Sequence, residues 1–123
     1  MRFDEVALKK HVADKTNWRT MLKQHSIPMN LIEHKERLLT IAKRELISIL
    51  DKYQDEIHAI DAEPIQIQFP IKQYPEKLVS HNFDKCAKVE GRLQGIKGQY
   101  LILDTGVLNV RKFSGYDVSF VVR

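Results

Sequence analysis

Apolar residues recur at helical spacing through the first half of the chain and alternate with polar ones through much of the second. Phe3, Val6, Ala7, Leu8 and Val12 beside polar Lys9 and Lys10 predict a short helix over about 3–13. Nothing precedes that helix in the chain, so its packing partner is expected elsewhere or on another molecule. Asp14-Lys15-Thr16-Asn17 is a polar break in which Thr16 or Asp14 can cap a second short helix over 17–24. Trp18, Met21 and Leu22 share one face of it. After the connector Ser26-Ile27-Pro28-Met29, Asn30 with Glu33 three residues on makes a start resembling a capping box. From there Leu31, Leu38, Ala42, Leu46, Ile49, Tyr53, Ile57 and Ile60 form one apolar stripe, widened by Leu39 and Leu50. They predict one long helix over about 31–60, a rod of roughly 45 Å. A small sheet cannot cover that length, so part of the stripe is expected on the N-terminal helices or on a partner. The charges from Lys43 to Glu56 mix signs, as on a solvated face.

Pro64 prevents the helix from continuing. Ile65-Gln66-Ile67-Gln68-Phe69 alternates strictly and predicts a strand. Pro70 and Pro75 bracket an edge or extended arm. Lys77 to Cys86 reads as a polar loop anchored by Leu78, Val79 and Phe83. Further strands are expected at about 88–94, 99–103, 107–111 and 117–122, with turns at Lys97-Gly98, Asp104-Thr105-Gly106 and Ser114-Gly115. The chain is organised around Gly91–Tyr116: three short strands, two tight glycine turns and a basic tip. The expected fold is α+β, a helical region over 1–61 followed by a small β-rich domain over 62–123. Its antiparallel sheet could close as an SH3-like or OB-like barrel.

At 123 residues, 43% of them hydrophobic and 29% charged, the chain has the composition of a single globular domain. No apolar run approaches the roughly 20 residues of a bilayer span, and no membrane partner is expected. Asp4 and Glu5 stand where a secretory signal would be apolar, so the expected location is cytoplasmic. A lone cysteine, Cys86, makes no internal disulfide or cysteine-rich zinc site. The five histidines (His11, His25, His34, His58, His81) lack ligand spacing, so no metal or other cofactor is expected. The net charge of +4 favours an anionic partner. Its distribution says more: Lys72 to Lys112 holds eight basic residues against four acids.

Several motifs run through the whole chain. Near the end come Gly95-Ile96-Lys97-Gly98-Gln99-Tyr100-Leu101, Asp104-Thr105-Gly106-Val107, Asn109-Val110-Arg111-Lys112 and Gly115-Tyr116. Earlier ones are Val12-Ala13-Asp14-Lys15-Thr16-Asn17-Trp18-Arg19, Tyr74-Pro75-Glu76-Lys77 and Asn82-Phe83-Asp84-Lys85. Together they resemble the C-terminal half of a bacterial family of unknown function. Longer members of that family carry a cysteine-rich segment and a segment resembling the GIY-YIG nuclease fold upstream. The resemblance implies that the first helix here would close the nuclease-like module. Glu5 would then fall where such enzymes hold a divalent metal, as a remnant of a site whose other residues lie upstream. One carboxylate cannot position a metal and activate a water. As a helix N-terminal acid Glu5 needs no further role, and no hydrolytic activity is expected of this chain alone.

Two functional readings follow. In the first, the chain binds RNA or DNA without catalysis, through a basic rim of Lys97, Arg111 and Lys112 with Gln99, Asn109 and Tyr116 beside it. Phosphates need cations, and bases stack on exposed aromatic faces. Tyr100 shares a face with Ile102 and reads as either core or platform. Trp18 reads as a core anchor or a stacking surface, and Arg19 could pair with Asp14 or reach a phosphate. In the second reading, the chain is a structural module that docks on an N-terminal domain, a partner protein or a second copy. An independent enzyme ranks last, because no nucleophile elbow, phosphate-binding loop or paired carboxylates occur.

Overall fold

A computed structural model describes residues 3–13, 15–53, 56–58 and 60–123, with side chains from residue 6 onward. The elements run α1 (Phe3–Leu8), α2 (Trp18–Met21), α3 (Leu31–Ile41), α4 (Lys43–Tyr53), β1 (Leu93–Lys97), β2 (Tyr100–Leu103), β3 (Gly106–Asn109) and a closing 3-10 turn, Val110–Phe113. Among the described residues, four helices followed by an antiparallel sheet make an α+β fold. The chain divides into two compact units. One holds residues 1–16 and 26–66, the other Asn17–His25 with Ile67–Arg123. Asn17–His25, a helical stretch in sequence, therefore folds with the strands.

In the first unit α1 packs on α4, and α3 packs on α4. Among the described residues its buried side chains are Ala7 and Ala42, small enough to let helix backbones approach closely. Asn30 caps α3 as its sequence suggests, its side chain accepting from the Glu33 N–H at 3.1 Å. The single helix expected over 31–60 is interrupted at Ala42, where ψ rises to 12°. Thr40 supplies a reason: its hydroxyl donates to the Glu36 carbonyl at 2.9 Å, a back-bond that bends helices. Helix α4 ends at Tyr53, short of Ile60. The Lys35 ammonium reaches the Ile60 carbonyl at 3.2 Å, so the chain after α4 returns toward α3 instead of extending the rod. Glu45, in the first turn of α4, lies 3.7 Å from His11 and 3.9 Å from Lys10. Its own backbone N–H, and then His11 and Lys10, hold its carboxyl below the usual 4.5 against the opposing push of desolvation. The apolar stripe is only partly covered: Leu38, Leu46 and Ile49 are half-buried while Leu31, Leu39 and Leu50 are exposed.

In the second unit the sheet has the order β1-β2-β3, all antiparallel. Both hairpins have two-residue turns, since Lys97 pairs with Tyr100 and Leu103 with Gly106. Gly98 takes φ +57° in the first turn, a value that glycine adopts without strain. Five strands were expected and three form. Ile65–Phe69 and 117–122 are not strands, and the barrel does not close. Short arms occupy the sheet edges instead. Along β1, Ile96 N–H donates to Pro70 at 3.0 Å and Lys72 N–H to Gln94 at 2.7 Å. Along β3, His81 N–H donates to Val107 at 2.9 Å and Val107 N–H to Val79 at 2.7 Å. Pro70 lacks an N–H, so its arm can form only part of a ladder. Gly95 lets the first arm in: a Cβ there would lie 2.9 Å from the Ile71 backbone.

Leu22, Tyr100, Ile102 and Val107 form the core of this unit, with Trp18, Met21, Ile71 and Leu78 packed around it. Leu22, Ile102 and Val107 are fully buried, each worth about 1.5–3 kcal/mol by burial of apolar surface.

Candidate functional site

Lys97, expected on an exposed rim, is 2% exposed. The turn falls at Gly98-Gln99, so Lys97 is the last residue of β1, and period-two alternation places it on the buried face with Gly95. Its ammonium donates to the Met21 carbonyl at 2.8 Å, the Gln24 carbonyl at 3.3 Å and the Tyr74 hydroxyl at 3.3 Å. It also lies 5.2 Å from the Tyr74 ring centroid and 5.7 Å from that of Phe69. An ammonium has three N–H donors, and three acceptors surround this one. The carbonyls are those left open at and beyond the end of α2, where a cation is favoured. Lys97 thus ties Asn17–His25 to the sheet. Asn17 caps α2 at its other end, accepting from the Thr20 N–H at 3.2 Å, in place of the expected Thr16. The alternative cap, Asp14, lies outside the described residues.

With α2 held there, Trp18 stacks on Tyr100, ring centroids 5.9 Å apart and planes 11° from parallel. The Arg19 guanidinium lies 4.5 Å from the indole centroid. Tyr100 is buried, so it is core. Its hydroxyl accepts from the Asn109 side-chain amide at 3.4 Å. The Asn109 side-chain oxygen accepts from the Gln99 amide at 2.9 Å and from the Lys112 backbone N–H at 3.2 Å. One continuous set of contacts therefore runs Arg19, Trp18, Tyr100, Asn109, where it branches to the Gln99 amide and to the Lys112 backbone. Trp18 is half-buried, and Arg19, Gln99, Arg111 and Lys112 are exposed.

The structure brings together Gln99, Asn109 and Lys112, with Arg111 next in the same 3-10 turn. Tyr116 belongs to a different group. Its hydroxyl donates to the Asp84 carboxylate, and its ring meets Phe113 edge-on at 5.2 Å, as Phe83 does at 4.9 Å. The bond to Asp84 first, then desolvation and the carboxylate charge, raise the phenol above its usual 10.0. Glu5 lies in α1, but its side chain lies outside the described residues. The stacking of Trp18 on Tyr100 was not legible in sequence, because it is a tertiary contact across most of the chain.

His81 and Thr105 look at first like a base and a nucleophile, with Nε2 and Oγ1 3.0 Å apart. The threonine hydroxyl, however, donates its proton to the Glu90 carbonyl at 2.8 Å. His81 Nε2 must then be the donor to Thr105, the reverse of base activation. Among the described residues no group of three or more His, Cys, Asp or Glu could hold a metal, and no helix is long and apolar enough to cross a membrane.

Charge is divided between the units. The sheet unit holds eleven Lys and Arg against five Asp and Glu, a formal +6, and the helical unit nine against eleven, a formal −2. The family model described as "Protein of unknown function (DUF2797)" matches residues 2–118. The chain belongs to this family. No curated protein and no solved structure matches it. The whole contact chain from Arg19 to Lys112 lies inside the DUF2797 match, and so do Arg111 and Tyr116.

Proposed function

We propose that this chain is a nucleic-acid-binding module, non-catalytic by itself, of a family with nuclease-like longer members. The observation that carries the reading is the 3-10 turn after β3. Arg111 and Lys112 are exposed there, neither forms an ion pair among the described residues, and they sit in a unit of formal charge +6. Asn109 caps this turn through the Lys112 backbone N–H and also accepts from the Gln99 amide. Arg111 and Lys112 contact phosphates. Lys97 supports the surface from beneath by holding α2, and Tyr116 supports it by holding the loop at Asp84.

Fluorescence anisotropy with short RNA and DNA, single- and double-stranded, across a salt series tests this. Binding should weaken steeply with salt, and should fall when Arg111 and Lys112 become alanine while the fold persists. Absence of binding at low salt would overturn the proposal.

A second reading rests on a separate observation. Val118, Phe120, Val121 and Val122 are 50–81% exposed, in a segment whose composition suits a strand. Such a segment suits docking on a partner domain or a second copy. A stable dimer without nucleic-acid affinity would favour that reading over the first.

A further inference from the structure

Trp18 has two neighbours of opposite character, a buried ring and an exposed guanidinium. Tyr100 supports it from the core, close to parallel, while the guanidinium of exposed Arg19 lies over the indole. Two stacked aromatic rings backed by a core form a rigid platform, and a guanidinium at 4.5 Å is a planar group already resting on the indole. A nucleobase is also planar and stacks on the same kind of face. Beside the platform lies a polar edge. Asn109 links the Tyr100 hydroxyl to the Gln99 amide, leaving Gln99 exposed with its own carbonyl oxygen and a second N–H not used in that bond.

We infer that the indole of Trp18 is a stacking subsite for an unpaired nucleobase, with Gln99 placed to hydrogen-bond the base edge. The inference rests on the nucleic-acid reading above and adds that the preferred ligand is single-stranded. The base takes the place of the Arg19 guanidinium on the indole, and Arg19 moves to a flanking phosphate. A paired base has both faces covered by its neighbours and cannot enter, so duplex binds only through the cations of the 3-10 turn.

The chain has one tryptophan, so emission excited selectively from tryptophan reports on this subsite. The experiment titrates the full chain with single-stranded RNA, single-stranded DNA, a matched duplex and an abasic sugar-phosphate oligomer, following anisotropy and Trp18 emission together. The expected result is strong quenching of Trp18 by one or both single strands. The duplex and the abasic oligomer should bind about tenfold more weakly and leave emission unchanged. Arg19→Ala should retain the quenching and lower the log–log salt slope by about 0.7, the loss of one phosphate contact. Trp18→Leu should cost about tenfold for single strands and nothing for duplex, and because Trp18 is partly structural its folding is checked by circular dichroism. Salt-dependent binding of single strands with unchanged emission, or equal affinity for the abasic oligomer, would overturn the stacking subsite and leave the phosphate-binding reading standing. No binding of any oligomer overturns both.

Discussion

Burying an ammonium costs free energy that only well-placed acceptors offset. Lys97 meets that condition through two carbonyls and a phenol. Lys97→Ala should therefore destabilise the sheet unit by about 2 kcal/mol, the usual penalty for leaving buried acceptors unsatisfied, read as a lower urea midpoint. Arg111→Ala, at an exposed position, should shift that midpoint by no more than about 0.5 kcal/mol. Equal effects of the two substitutions would contradict the division between a structural and a surface cation. Tyr116 makes a prediction in pH. Its phenol is raised above 10.0 by donating to Asp84. The stability that this bond supplies is complete below the unfolded value and is lost as pH rises through the higher folded value. Tyr116→Phe should remove a late-ionising component from the ultraviolet titration of the chain. The sequence marked Lys97 and Tyr116 as chemically capable but could not say where they point. A one-residue shift in the hairpin turn moved Lys97 from tip to core.

At the scale of elements, the sheet depends on arms that are not strands themselves. Gly95 is the clearest case, because the Ile71 backbone occupies the space its Cβ would need. Gly95→Ala should push the Pro70–Lys72 arm off β1 and destabilise by about 1–3 kcal/mol, as overpacking does. Amide hydrogen exchange should speed up at Lys72 and Ile96, the donors of the arm, more than at the β2–β3 pairing. Uniform loss of protection would argue against a local effect. The hairpins from Leu93 to Asn109 were legible in sequence because glycine turns and period-two alternation act locally. The break at Ala42 and the end of α4 at Tyr53 were not. The apolar stripe continues past both, and only the Thr40 back-bond and the contact from Lys35 to Ile60 mark where the helix stops.

At the scale of the whole molecule, charge separates by unit, and this bears directly on binding. If Arg111 and Lys112 each contact a phosphate, replacing both by alanine should reduce the salt slope for a single strand by about 1.4 in log K against log salt. A slope unchanged by the double substitution would place the phosphate contacts elsewhere on the +6 unit. Composition, the α+β class, the hairpin core and the basic excess of the second half follow from the sequence alone, because periodicity, turn chemistry and charge counts are properties of neighbouring residues. Tertiary structure alone decided that Asn17–His25 leaves the helical region for the sheet. The reason is physical: Lys97 and Met21 are 76 residues apart, and the bond between them exists only once β1 presents the ammonium to the open end of α2. That same docking sets Trp18 on Tyr100, and so turns an undecided aromatic into the centre of the candidate site.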